Sequence, residues 1–235
     1  MFFISPPFGN YLSLPKTTSI YGSYTVEPRP GLWPQIFRTL RYSFRYKAWV
    51  NQIGLRNKGI HWALQHVPKD QILSIAIMHD SDIPKFLETI PDDRNLEINI
   101  SCPNVQKTAQ NNRLGEFVNN KRKWCIVKLS PKVNTDQIDG LYKQGFRQFH
   151  CSNTIPVPEG GLSGPMIRSY SDKHITYIRT NYPDSEIIGG GGITNWNHVE
   201  SIRRIGADHF SISSGFFQPW KLVPFLYRYY FFSHY

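Results

Sequence analysis

Eight short apolar runs recur along the 235-residue chain, at residues 2–5, 18–25, 72–78, 96–100, 124–129, 146–152, 186–190 and 210–213, and segments of helical periodicity separate most of them. This alternation constrains the fold more than any other feature. Strands that are joined through helices run parallel, because a parallel pair needs a crossover. Helices are expected at residues 35–50, 83–89, 109–120, 136–143, 165–181 and 196–205, with Gly145 closing the fourth and Asp82 capping the second. Eight such units predict an α/β fold, a closed TIM-type (β/α)8 barrel formed by one domain over residues 1–235. An open doubly wound sheet is the alternative.

Hydrophobic residues make up 40% of the chain, enough for one large core. No apolar run is long enough to span a bilayer, and the start lacks the basic flank of a secretory signal. Cys102, Cys125 and Cys151 form neither a disulfide framework nor a zinc-ligand spacing. A reducing, cytoplasmic setting without a metal is expected. The net charge of +10 favours anionic ligands and, weakly, nucleic acid. Arg38, Arg41, Arg45 and Lys47 concentrate part of it in one segment, expected to be a solvated helix face.

Polar residues fall just after the strand ends, where a barrel carries its site: Asn51, Asn99, Cys102, Asn104, Lys128, Asn153, Thr154, Gly191, Gly192 and Ser213. Pro103 stops the strand before it, since proline has no N–H for a sheet ladder. Cys102 therefore sits past a strand end between Asn99 and Asn104, as a base, a nucleophile or an inert buried thiol. The four amides suit the carbonyl and N–H edges of a pyrimidine-like ring. Lys128, among apolar neighbours, needs an anionic or polar partner: an electron-rich cofactor ring or a structural ion pair. Gly191-Gly192 and Ser213-Ser214-Gly215 follow the last two strands. They read as turns or as the phosphate site that barrels place there.

These residues resemble the dihydroorotate dehydrogenase family over nearly the whole chain. Asn99-Ile100-Ser101-Cys102-Pro103-Asn104 is similar to the catalytic loop of its soluble, cysteine-dependent class. Residues 51–57 resemble its substrate loop, and Val127-Lys128-Leu129-Ser130-Pro131 its flavin-contacting strand. Asn153-Thr154 and Gly161-Leu162-Ser163-Gly164 resemble further substrate and flavin loops. The resemblance implies an FMN enzyme that oxidises dihydroorotate to orotate in pyrimidine biosynthesis. It implies Cys102 as general base, and Asn51, Gly54, Leu55, Asn99, Asn104, Asn153 and Thr154 around the substrate. It implies Gly22, Ser23, Asn99, Lys128, Ser163, Gly164, Gly191, Gly192, Ser213 and Ser214 around FMN. Dimers are common in that class; neither a membrane span nor nucleic acid is expected.

Three features depart from the family pattern. Gly22 stands where members carry a lysine, the loops after Cys102 and Asn153 are short, and the last phosphate loop reads Ser213-Ser214-Gly215. Two other readings stay open here. One is a flavin reductase like the tRNA dihydrouridine synthases, which suits the positive charge. The other is a non-catalytic barrel that binds FMN or a nucleotide. The aromatic tail, 220–235, is either the last barrel helix or a partner-binding surface.

Overall fold

The computed structural model describes residues 1–100, 113–151 and 153–232. Twelve strands occur among them: β1 (Phe2–Ile4), β2 (Thr17–Tyr24), β3 (Arg41–Ser43), β4 (Ala48–Asn51), β5 (Ile72–Ala76), β6 (Leu96–Asn99), β7 (Cys125–Lys128), β8 (Gln148–Cys151), β9 (Ile155–Val157), β10 (Gly160–Ser163), β11 (Glu186–Gly189) and β12 (His209–Ile212). Eight of them close a parallel barrel in the order β1-β2-β5-β6-β7-β8-β11-β12. It closes where Phe2, Phe3 and Ile4 pair with Phe210, Ser211 and Ile212. The predicted barrel and its eight strands are therefore present.

The described helices are α1 (Leu32–Thr39), α2 (Ile60–His66), α3 (Asp82–Thr89), α4 (Thr135–Lys143), α5 (Arg168–Asn181), α6 (Trp196–Arg204) and α7 (Pro219–Phe232). Asn134 caps α4 by accepting from the Gln137 N–H, while Gln137 reaches back to the Asn134 N–H. Gly145 follows α4 at φ +100, a conformation glycine adopts without a Cβ penalty. Asp82 is the first residue of α3 rather than its N-cap. Its carboxylate accepts from the Met78 and His79 N–H groups instead.

Three further expectations need correction. Residues 35–50 are not one helix: α1 stops at Thr39, and β3 and β4 form a hairpin. Ala48 and Val50 are buried against Leu162 and Ile155, so the alternation of a strand outweighs the helical spacing of the aromatics. Residues 160–163, expected as loop, are β10, which pairs with β4 through Gly161–Asn51, Leu162–Val50 and Ser163–Trp49. The described part of the expected 109–120 helix is only one 3-10 turn, Leu114–Phe117.

The hairpin and β9–β10 make a second, antiparallel sheet, ordered β3-β4-β10-β9. Its two halves come from the connections after β2 and after β8. Those strands stand four places apart in an eight-strand ring, so the sheet ties together opposite sides of the barrel at its C-terminal end.

Alternation along each barrel strand sorts the core. Leu96, Ile98, Val127 and Phe149 join the layer between strands and helices. Phe3, Ile20, Ile72, Trp124, Ile126 and Ile188 form a separate buried cluster. The described part of the aromatic tail is the last barrel helix: Phe225 and Tyr229 of α7 are buried and meet Phe2 at 5.8 and 5.3 Å between ring centres. No described helix is long and apolar enough to cross a membrane.

Candidate active site

The remaining inward positions are polar, and their hydrogen bonds converge on one carboxylate. Glu97 of β6 is fully buried. Its Oε1 accepts from Ser74 Oγ at 2.8 Å and lies 3.7 Å from Lys128 Nζ, while its Oε2 lies 2.6 Å from His150 Nδ1. His150 Nε2 lies 2.6 Å from Ser211 Oγ. Ser74 spends its only hydroxyl proton on Glu97, so Ser23 donates to Ser74, at 2.9 Å. Asn99 Nδ2 then donates to Ser23 Oγ at 2.9 Å, Asn153 Nδ2 to Asn99 Oδ1 at 3.0 Å, and the Thr154 N–H to Asn153 Oδ1 at 2.8 Å. The chain of donors runs one way, from the barrel mouth to Glu97, and fixes the orientation of both amides.

Electrostatics agree with that direction. Burial by itself pushes the Glu97 carboxyl up, but the Lys128 ammonium, His150 and Ser74 outweigh it and hold the group down at about 2. Burial, then Lys128, lowers the His150 imidazole below its usual range, against the pull of Glu97. The ring is therefore neutral, with Nδ1–H donating to Glu97 and Nε2 accepting from Ser211. The contact resembles an ion pair in distance but is a hydrogen bond to a carboxylate whose formal counter-charge is Lys128.

Lys128 is 7% exposed. Among the described residues its ammonium has the ion pair at 3.7 Å but no hydrogen-bond acceptor. A buried ammonium with unspent donors at a strand C-terminus fits a polar or anionic ligand group.

The mouth of the barrel gathers other expected residues. Asn51 ends β4, donates to Gly161 O at 3.5 Å and accepts from the Ile53 N–H. Gly54 and Leu55 follow in a turn with φ of +67 and +56. Asn57, which the sequence reading did not single out, fastens this loop. It accepts from the N–H groups of Thr25 and Gly59 and donates to Thr25 Oγ1 and Leu55 O.

The glycine loops also meet. A Cβ on Gly192 would lie 2.6 Å from Pro165 Cα and 2.7 Å from Gly164 O, and one on Gly215 would lie 2.9 Å from Ile193 O. Gly164, Gly192 and the Ser213-Ser214-Gly215 loop thus form one backbone cluster. Ser214 opens the 3-10 turn Ser214–Phe217, whose first N–H groups lack an intrahelical acceptor. Backbone at such a close approach, beside a helical turn, fits a phosphate. Ser213 Oγ is spent on Pro6 O at 2.7 Å, which leaves its backbone as the group for a ligand. Ser163 lies on β10, opposite Trp49.

Gly22 has a structural cause. Its φ is +131, and a Cβ would lie 2.4 Å from Ser74 O. Asn10 brackets it, accepting from its N–H at 2.7 Å and donating to its carbonyl at 3.4 Å. Lysine is excluded from this backbone, so Lys128 carries the positive charge of the described barrel interior.

Cys102 and Asn104 lie outside the described residues. The sequence reading missed Ser74, Glu97, His150 and Ser211. One signal was present: Glu97 interrupts an apolar strand at the same alternation as Asn99. Among the described residues no cluster of three or more His, Cys, Asp or Glu side chains is arranged to hold a metal.

Comparison with known proteins agrees with the fold. The sequence matches the family model for dihydroorotate dehydrogenase over residues 10–225. The dihydroorotate dehydrogenase B (NAD(+)) catalytic subunit of Thermotoga maritima is 24% identical, over 90% of this chain and 88% of that protein. The putative dihydroorotate dehydrogenase A (fumarate) of Pediococcus pentosaceus is 28% identical, over 82% and 74%. Ligand-free DHODH from Eimeria tenella superposes with a TM-score of 0.68 at 16% identity, over 94% of this chain and 80% of that one, which shows a shared fold. The family model spans seven of the eight barrel strands, all but β1, and by that match the chain belongs to the dihydroorotate dehydrogenase family.

Proposed function

We propose that this protein oxidises dihydroorotate to orotate, in pyrimidine biosynthesis, with FMN as its cofactor. The observation that carries the reading is the buried Lys128 ammonium beside a one-way chain of donors that starts at Thr154, Asn153 and Asn99 and ends at Glu97. When bound, FMN supplies the hydride acceptor. Lys128 favours negative charge that develops on the ring system next to it, in a site where water does not screen it. Asn99, Asn104, Asn153, Thr154 and Asn51 hold the substrate ring and its carboxylate, with Gly54 and Leu55 in the adjoining turn. Ser23, Ser163, Gly164, Gly191, Gly192 and the Ser213–Ser214 backbone hold the cofactor. Cys102 takes the proton from the ring carbon next to the carbonyl. An ordinary thiol titrates at about 8.5, so a modest depression is enough for this task near neutral pH.

The test is anaerobic. The purified protein should show a flavin visible spectrum that bleaches rapidly on addition of dihydroorotate, and Cys102→Ala should slow the bleaching by at least about a hundredfold. Bound flavin that dihydroorotate leaves oxidised would sink the substrate assignment. A folded protein that takes up no added FMN would favour the non-catalytic barrel.

A further inference from the structure

The positive charge of this chain is concentrated in one stretch. Residues 28–69 hold eight lysines and arginines and no aspartate or glutamate, which leaves 19 basic and 17 acidic residues for the rest. Among the described residues none of the eight forms an ion pair with a carboxylate. Four of them, Arg38, Arg41, Arg45 and Lys47, are exposed on α1 and the β3–β4 hairpin. The same elements carry the most exposed large apolar side chains of the described chain. Phe44 in the hairpin turn is 87% exposed and Phe37 of α1 84%, with Trp33 at 59%.

Apolar rings in water beside unpaired cations mark an interaction surface. A twofold contact with a second copy would set the cationic cluster against itself, so the partner is anionic. The rings favour a lipid over a nucleic acid. Phe37 and Phe44 have no polar handle, and Trp33 and Phe37 share a helix face one turn apart. Tyr42 meets Phe44 and Trp49 edge-on, at 82° and 77°, so these rings build an apolar knob rather than open platforms for stacked bases. Aromatic and aliphatic groups flanked by arginine and lysine are the composition of a surface that lies in a bilayer interface.

We infer that α1 and the β3–β4 hairpin dock this protein on an anionic phospholipid surface, Phe37 and Phe44 entering the interface and Arg38, Arg41, Arg45 and Lys47 meeting the headgroups. β4 runs from this hairpin to Asn51, so the docked face adjoins the mouth of the barrel. The inference does not depend on the reaction proposed above.

The full-length protein should co-sediment with phosphatidylcholine vesicles that contain one part in three phosphatidylserine. It should bind them at least about tenfold more tightly than phosphatidylcholine alone, with affinity falling as salt rises. Arg41→Glu with Arg45→Glu should abolish the preference. Phe37→Ser with Phe44→Ser should remove the binding that persists at high salt. Circular dichroism checks folding, and Phe44→Ser alone, at a turn position, serves where a double variant misfolds. Three results would overturn the inference: equal or no binding to the two vesicle types; binding to tRNA without binding to anionic vesicles; or a dimer that Phe44→Ser dissociates, with vesicles unbound.

Discussion

The imidazole of His150 and the carboxylate of Glu97 meet at 2.6 Å inside the barrel, on strands that are not neighbours in the sheet. β7 lies between them and supplies Lys128, whose ammonium approaches the other oxygen of the same carboxylate. One anion thus serves a cation, a neutral imidazole and a serine. Removing it leaves all three in a medium that does not replace it.

Glu97→Gln should therefore destabilise the fold by roughly 3–5 kcal/mol, the range for breaking a buried pair from one side. Lys128→Met should cost less when added to Glu97→Gln than when made alone, because the second change removes the uncompensated charge. A double-mutant cycle by urea unfolding measures the coupling. Additive losses would show that the two side chains do not share a charge balance.

Acid should unfold the protein in a window set by the same carboxylate. Its folded pKa, about 2, lies below the ordinary 4.5. The corresponding stability is complete above pH 4.5 and is lost as pH falls toward 2, about 3 kcal/mol in all. His150 acts with the same sign: its folded pKa is lowered from 6.5, so stability begins to decline below that pH as the unfolded chain takes up a proton. Chemical unfolding across pH should show both, and Glu97→Gln should flatten the lower window.

Putting lysine at position 22 should not improve the enzyme. Any Cβ there meets Ser74 O, and the backbone sits at a φ that side chains avoid. Gly22→Lys should cost about 2 kcal/mol and lower the melting temperature by roughly 5 °C, with no gain in dihydroorotate turnover. A variant that melts as the wild type and turns over faster would refute this account of the glycine.

Two glycines make a matched pair that tests the proposed FMN loop. Gly192→Ala forces a methyl against Pro165 and Gly164, and should weaken FMN retention on gel filtration by about tenfold or more. Gly140→Ala, in α4 with no atom within 4 Å of its Cβ, should keep FMN and stabilise the protein by about 0.5–1 kcal/mol. Equal FMN retention in both would remove the 192 loop from the cofactor site.

The barrel was legible in the sequence because its signal is local. Each strand is a short apolar run, and each run ends in residues that stop a ladder or turn the chain. The same locality marked Asn99 and Lys128, which end their strands, and Asn153 and the glycine loops, which come just after theirs. Residues 35–50 were misread because α1 and the hairpin share aromatic and basic residues. Residues 48–51 become a strand by pairing on both sides, with β3 in the hairpin and with β10, more than 100 residues away.

The sequence by itself determined the parallel eight-strand barrel, the face on which polar residues collect, and the family. Tertiary structure alone decided that Ser74, Glu97, Lys128, His150 and Ser211, spread over 138 positions from first to last, belong to one network. It alone decided that Gly22 is required by the Ser74 carbonyl. Propensity acts over a few residues, whereas the cost of a buried charge depends on what stands opposite it, and closing the barrel is what places those groups face to face.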